Sequence, residues 1–307
     1  MAGRILLLFL RGIAYLPHRW LMVIGGLIGR LHVVLRSRAY RVTETNLEIC
    51  YPEMSKTDRS ALTRASLTAT GQTLMETPAA WLGNPVRIDR WITRIEGEEL
   101  LQDALDDERG LLLLLPHLGN WELANVYFAN RLPSPGLYQP PKRPALRPVM
   151  EKVRRNLGNE LVPTTRSGLA TLYRRLLEGK VVVVLPDQVP STGEFAPFFG
   201  HEALTDRLVM RLIRKSRPQV LSVSMVRGHD GGFTMHFLSA DEAVFDANSR
   251  AALAGVNRSI EQCVQLAPAQ YQWEYKRFKE RPSGAVSYTH LRAHETSLHL
   301  VCRLLLE

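Results

Sequence analysis

Leu111-Leu-Leu-Leu-Leu-Pro-His117-Leu-Gly-Asn-Trp-Glu122 decides how the rest of this 307-residue chain is read. The apolar run 111–115 predicts a buried strand, and Asn120 stands where a cap would open a helix at Trp121. His117 and Glu122 therefore straddle a strand-to-helix turn, a place from which two side chains can reach one reacting atom. An imidazole beside a carboxylate is a general-base arrangement, because the carboxylate fixes the tautomer and stabilises the imidazolium that forms. Its natural client is an alcohol that must become a nucleophile. The spacing alone is weak: with nine histidines, roughly one His-x4-Asp/Glu pair is expected by chance. A strand-end histidine bonded to backbone, with Glu122 favouring a helix start through the macrodipole, fits the same letters.

Outward from this stretch, the pattern over 41–91 is helical, with Ser55 or Thr57 as a cap. Strands and helices then alternate. Strands are expected at 111–115, 181–185, 220–226 and 233–238, and helices at 121–129, 146–156, 167–178 and 250–266. Short, wholly apolar strands separated by helices predict an α/β fold whose mostly parallel sheet is covered by helices on both faces. Reactive groups in such sheets gather at the carboxyl ends of strands. His117 lies just past one such end and Asp187 just past another.

Residues 5–35 are rich in Leu, Ile and Val but are broken by Arg11, Pro17, His18, Arg19 and Arg30. No stretch of eighteen apolar residues is uninterrupted, so two short apolar helices hinged at Pro17 and lying in one leaflet are expected rather than a spanning helix. Trp20 and Tyr15 suit the interface, and if the segment enters the membrane, Arg36, Arg38 and Arg41 favour a body on the cytoplasmic side. The competing reading is a hairpin packed onto the protein's own core. A net charge of +9 suits an anionic partner, and the scattered basic residues, with no zinc spacing or RNA-binding signature, argue against nucleic acid. Cys50, Cys263 and Cys302 show no paired spacing, so neither a disulfide framework nor a cysteine metal site is expected.

The division expected is thus 1–40 as membrane-associated helices, 41–282 as the α/β domain, and 283–307 as a non-native tail. The tail follows a natural stop at Arg281-Pro282 and carries His290, His294 and His299, which are read as appended sequence rather than a metal tract. No metal ligands are assigned.

Four blocks together resemble the lysophospholipid acyltransferase superfamily and, within it, the bacterial lipid A biosynthesis late acyltransferases. They are Arg41 to Leu47 with Tyr51 to Ser55; His117 to Glu122; Pro186-Asp-Gln188 with Phe195 to Gly200 and Thr205; and Pro268 to Lys279. The resemblance implies a glycerol-3-phosphate acyltransferase-like fold and an enzyme at the cytoplasmic face of the cell inner membrane. It would move a fatty acyl group from acyl carrier protein, with no further cofactor, to a hydroxyl of a lipid A precursor. His117 would be the base and Glu122 its partner, with backbone amides near Gly119 and Asn120 as expected oxyanion donors. Arg155 would clamp an anionic group, Asp187 would orient Arg155 or the His-Glu pair, and Arg277 would bind substrate or tie the tail to the core. Phe195, Phe198 and Phe199 would line an acyl groove or belong to the core. Glu274 and the pair Asp206-Arg207 depart from the family pattern and bear on the acceptor, which leaves another glycolipid or a lysophospholipid open. A hydrolase or thioesterase using the same histidine, and a non-catalytic scaffold, are the other function classes the residues allow.

Overall fold

The leucines of 111–114 alternate between two cores. Leu111 and Leu113 face one apolar cluster and Leu112 and Leu114 the other, and all four are inaccessible to solvent. Each such burial is worth about 2 kcal/mol, so a strand of this composition has no stable alternative to the middle of a sheet. The computed structural model describes residues 2–132, 136–138, 153, 161–163 and 165–282.

In chain order the elements are α1 (Ala2–Ala14), α2 (His18–Val34), α3 (Arg38–Cys50), α4 (Lys56–Leu82), α5 (Pro85–Asp89), β1 (Ile92–Glu96) and α6 (Glu98–Asp106). Then come β2 (Leu111–Leu114), α7 (Trp121–Arg131), β3 (Gly136–Tyr138), β4 (Leu161–Pro163), α8 (Arg166–Leu177), β5 (Val181–Val184), β6 (Glu194–Phe198) and β7 (His201–Thr205). The chain continues with α9 (Leu208–Ser216), β8 (Gln219–Arg227), β9 (Phe233–Ser239) and α10 (Ser249–Leu266). A seven-stranded sheet runs β1-β9-β8-β2-β5-β3-β4, and every neighbouring pair is parallel except β8 with β9. The expected covered parallel sheet is present, with β2 central. Ser55, not Thr57, caps α4 by accepting from the Asp58 amide at 3.1 Å.

Several elements lie outside the sequence reading: α6, α9, the short strands β3 and β4, the edge strand β1, and the pair β6 and β7. Residues 92–96 form an edge strand beside β9, and their partial exposure explains the weak apolar signal. Residues 194–205 form a separate antiparallel hairpin, closed by Phe199 and Gly200, both at positive φ (48° and 75°), the twist a two-residue hairpin turn demands. Phe198, the last residue of β6, is buried and packs edge-on to the half-buried Phe199 at 4.9 Å, so both rings of the hairpin join the apolar core beneath it.

The amino-terminal segment is two helices bent by 114°, with Pro17 at the hinge. No single described helix is long and apolar enough to cross a membrane; the bent pair meets the test only jointly, by length and composition. One side of the pair packs on the body through Leu10, Ala14 and Leu21, while Leu8, Phe9, Trp20, Leu27 and Leu31 are exposed. Gly25 and Gly29 bring α2 against α4 backbone to backbone: a Cβ at Gly25 would stand 2.5 Å from Gln72 Cα, and one at Gly29 2.3 Å from the Leu67 carbonyl oxygen. The helical segment 146–156 and the tail 283–307 fall outside the described residues apart from Val153.

Candidate active site

The register of β2 against β5 builds the site. Leu114 pairs with Val184, so His117 and Asp187, each three residues further on, leave adjacent strands at the same height. Both are buried, at 4% and 3% exposure. The Asp187 carboxylate grips the histidine twice: Oδ2 accepts the His117 backbone N–H at 2.8 Å and Oδ1 lies 2.7 Å from Nδ1. Across the ring, Nε2 lies 3.1 Å from the Gln188 side-chain nitrogen, which also donates to Gln272 Oε1 at 3.2 Å. An amide N–H pointed at Nε2 and a carboxylate at Nδ1 define one tautomer, with the proton on Nδ1 and the lone pair on Nε2. Trp121 packs edge-on against the ring at 4.8 Å and closes its flank.

Among the described hydrogen bonds, none joins Glu122 to His117. The Glu122 carboxylate accepts from Asn125 Nδ2 at 3.1 Å, one helical turn along α7, and it acts on His117 only through space. Asp187 instead arrives from the neighbouring strand, brought level with His117 by the β2–β5 register. The electrostatics separate the carboxyls. Burial alone would raise Asp187, but the His117 imidazole and the two bonds from His117 outweigh it and hold the carboxyl below its usual range. Burial raises Glu122, offset only in part by Trp81, Asn125 and His117. Burial also lifts Glu274 to about 7, with its backbone and the Thr70 hydroxyl bond at 3.1 Å as weaker opposition. One firm negative charge therefore sits beside Nδ1, and the two other carboxyls near the ring are biased towards neutrality.

The turn between His117 and α7 is held by backbone. Gly119 adopts φ +60°, and a Cβ there would fall 1.8 Å from the Met225 carbonyl oxygen, so only glycine fits. The Gly119 amide donates to the Gln270 carbonyl at 2.9 Å and the Asn120 amide to the Met225 carbonyl at 3.1 Å. Both amides expected as oxyanion donors are thus already engaged, because the turn docks against β8 and the 268–275 segment. Asn120 occupies the cap position of α7, yet its side chain makes no cap bond and reaches Glu76 Oε2 at 3.1 Å instead.

Arg277 is buried and spends Nη1 on the Leu204 carbonyl at 2.6 Å and Nη2 on Thr205 Oγ1 at 3.1 Å, tying the carboxyl-terminal segment to the hairpin. Arg155 lies outside the described residues. Sequence reading did not place Gln188 or Gln272 in the site, although Gln188 adjoins Asp187; polar residues after a strand end were the available signal. Among the described residues, no group of three or more His, Cys, Asp or Glu side chains converges as a metal site.

Comparison with known proteins bears on what this geometry serves. The sequence profile of the family described as bacterial lipid A biosynthesis acyltransferase matches residues 4–280. The chain is 30% identical over 279 residues to the lipid A biosynthesis lauroyltransferase of Escherichia coli (strain K12), covering 90% of each. It is 28% identical over 275 residues to the palmitoleoyltransferase of the same organism, covering 89% of each. With the myristoyltransferase it shares 23% identity over 279 residues, covering 90% of this chain and 86% of the other. Strand-end histidine, parallel sheet and full-length similarity agree: the chain belongs to the bacterial lipid A biosynthesis acyltransferases.

Proposed function

We propose that the protein transfers a fatty acyl chain from acyl carrier protein to a hydroxyl of a lipid A precursor, with His117 as general base and Asp187 as the carboxylate that orients it. The observation carrying this reading is the tautomer: Asp187 at Nδ1 leaves Nε2 as a lone pair facing the Gln188 amide, at the carboxyl end of the central strand. An acceptor hydroxyl replacing that amide would give its proton to Nε2. Its oxygen would attack the thioester carbonyl carbon, and collapse of the tetrahedral species would break the C–S bond. The leaving thiolate would take the proton back from Nε2–H, so ester and thiol form and the histidine returns neutral. Asp187 balances the charge on the imidazolium between these steps.

We further propose attachment to the cytoplasmic face of the inner membrane through the apolar side of α1 and α2. Its support is the row of exposed Leu8, Phe9, Trp20, Leu27 and Leu31, interspersed with Arg4, Arg11, Arg19 and Arg30, whose guanidinium groups suit anionic head groups. Arg155 remains a proposed contact for an anionic substrate, whereas Arg277 serves by holding the hairpin to the carboxyl-terminal segment. The test is acyl transfer in detergent from labelled acyl carrier protein to tetra- or penta-acylated lipid A precursors. An acylated lipid supports the reading. Release of free fatty acid with no ester product points to hydrolysis, and transfer to a different glycolipid alone reassigns the acceptor.

A further inference from the structure

Behind the catalytic turn lies a carboxylate that the proposed reaction does not use. Glu76, on α4, is wholly buried and receives four donors. His18 Nε2 and Arg227 Nε each lie 2.9 Å from Oε1, while Arg227 Nη2 at 2.6 Å and Asn120 Nδ2 at 3.1 Å reach Oε2. Arg227 Nη2 also donates to Thr73 Oγ1 at 2.9 Å, and that hydroxyl donates to the Gly119 carbonyl at 3.0 Å. Two side-chain paths therefore run from one buried ion pair to Gly119 and Asn120, the residues between His117 and α7.

A buried ion pair is a poor way to gain stability, since desolvation cancels most of the attraction and an apolar pair of the same volume does as well. What a saturated carboxylate does supply is direction: four donors fix both oxygens, and through them the turn. The hub also reaches the amino-terminal helices. His18 is the first residue of α2, stacks on Trp91 at 4.1 Å, and completes the shell of Glu76 only when α2 sits against α4 at Gly25 and Gly29.

We propose that the Glu76–Arg227 pair is a positioning device for the His117 turn, and that His18 makes its geometry depend on how α2 is seated on the body. The inference rests on His117 being the working group of acyl transfer. Glu76, Arg227 and His18 are positioning residues; none touches the imidazole.

The test uses the full-length protein with two readouts: kcat and KM for acyl transfer, and the ¹⁵N spectrum of labelled histidine, with His117 assigned by its loss in His117→Ala. Asn120→Ala cuts one path, and the double variant Glu76→Gln/Arg227→Met removes both charges while keeping volume, so that no unpaired charge is left buried. Each is expected to lower kcat by about 10- to 100-fold with KM within about twofold, as small misplacements of a reacting group do. Each should also replace the single Nδ1–H signal of His117 by a mixture of tautomers. His18→Phe, which keeps the stack on Trp91, should lower kcat in the same sense, and His18→Gln, whose amide still donates to Glu76, should restore it. Wild-type kcat and one tautomer in folded Asn120→Ala or in the double variant would overturn the proposal, as would an effect confined to KM. If the double variant does not fold, Asn120→Ala decides alone. An unaltered His18→Phe overturns the dependence on α2. The spectra need no substrate, so absence of transfer by the wild type would count against the functional reading only.

Discussion

Asp187 holds His117 at two points, one carboxylate oxygen on the backbone amide at 2.8 Å and the other at Nδ1 at 2.7 Å. Ring rotation and chain position are set by the same group. Replacing it by Asn presents an N–H to Nδ1 and favours the tautomer whose Nε2 carries the proton, which cannot act as base. Asp187→Asn is expected to lower kcat by roughly 10³-fold with little change in KM. Glu122→Gln should keep the Nδ1–H tautomer, because Glu122 does not touch the ring; histidine ¹⁵N spectra of the two variants check both statements.

Glu274 makes stability depend on pH. Burial raises its pKa from the ordinary 4.5 to about 7, so between those values the folded protein binds more protons than the unfolded chain. Its protonated form is then the one that folding favours: the contribution is full below pH 4.5 and is lost as pH rises through about 7. Glu274→Gln, always neutral, should gain on the wild type over this window and level off above it at about 3 kcal/mol, the shift times 1.4 kcal/mol per unit. Urea unfolding of both proteins at several pH values measures the difference. A constant gap across the range would contradict the assignment.

Gly119→Ala tests the turn. The added methyl would meet the Met225 carbonyl at 1.8 Å in a backbone conformation that alanine resists. A loss of more than about 3 kcal/mol in urea unfolding, together with loss of transfer, is expected. A variant of wild-type stability would mean that the turn has another form.

The apolar side of the amino-terminal helices predicts membrane binding. Leu8 and Phe9 are 65% and 64% exposed, so glutamate at both positions should leave unfolding midpoints unchanged. Binding to vesicles of phosphatidylethanolamine and phosphatidylglycerol should weaken by at least about tenfold. Flotation assays read this directly, and undiminished binding would show that another surface holds the lipid.

Much of the fold was legible because its central strands are almost pure in composition. Leu111–Leu114 and Val181–Val184 can only be interior strands, and their ends placed His117 and Asp187 at the same edge. Which carboxylate meets the imidazole was not legible. Glu122 is close in sequence, whereas Asp187 is close in space only because Leu114 registers with Val184, a pairing made 70 residues apart. The hairpin at 194–205 was hidden by Pro197 within a strand and by a turn in which Phe199, not glycine or asparagine, takes a positive φ. Glu76 gave no signal at all, since the partner that neutralises it lies 151 residues away.

The most direct test of the site is a single-turnover comparison of wild type and His117→Ala, with enzyme in excess over labelled acyl carrier protein and a lipid A precursor as acceptor. If Nε2 takes the hydroxyl proton, wild type forms the ester and His117→Ala slows that step by three or more powers of ten, on the order seen when a general base is removed, while still folding. Ester formation at near wild-type rate in His117→Ala would contradict the assignment of His117 as the base.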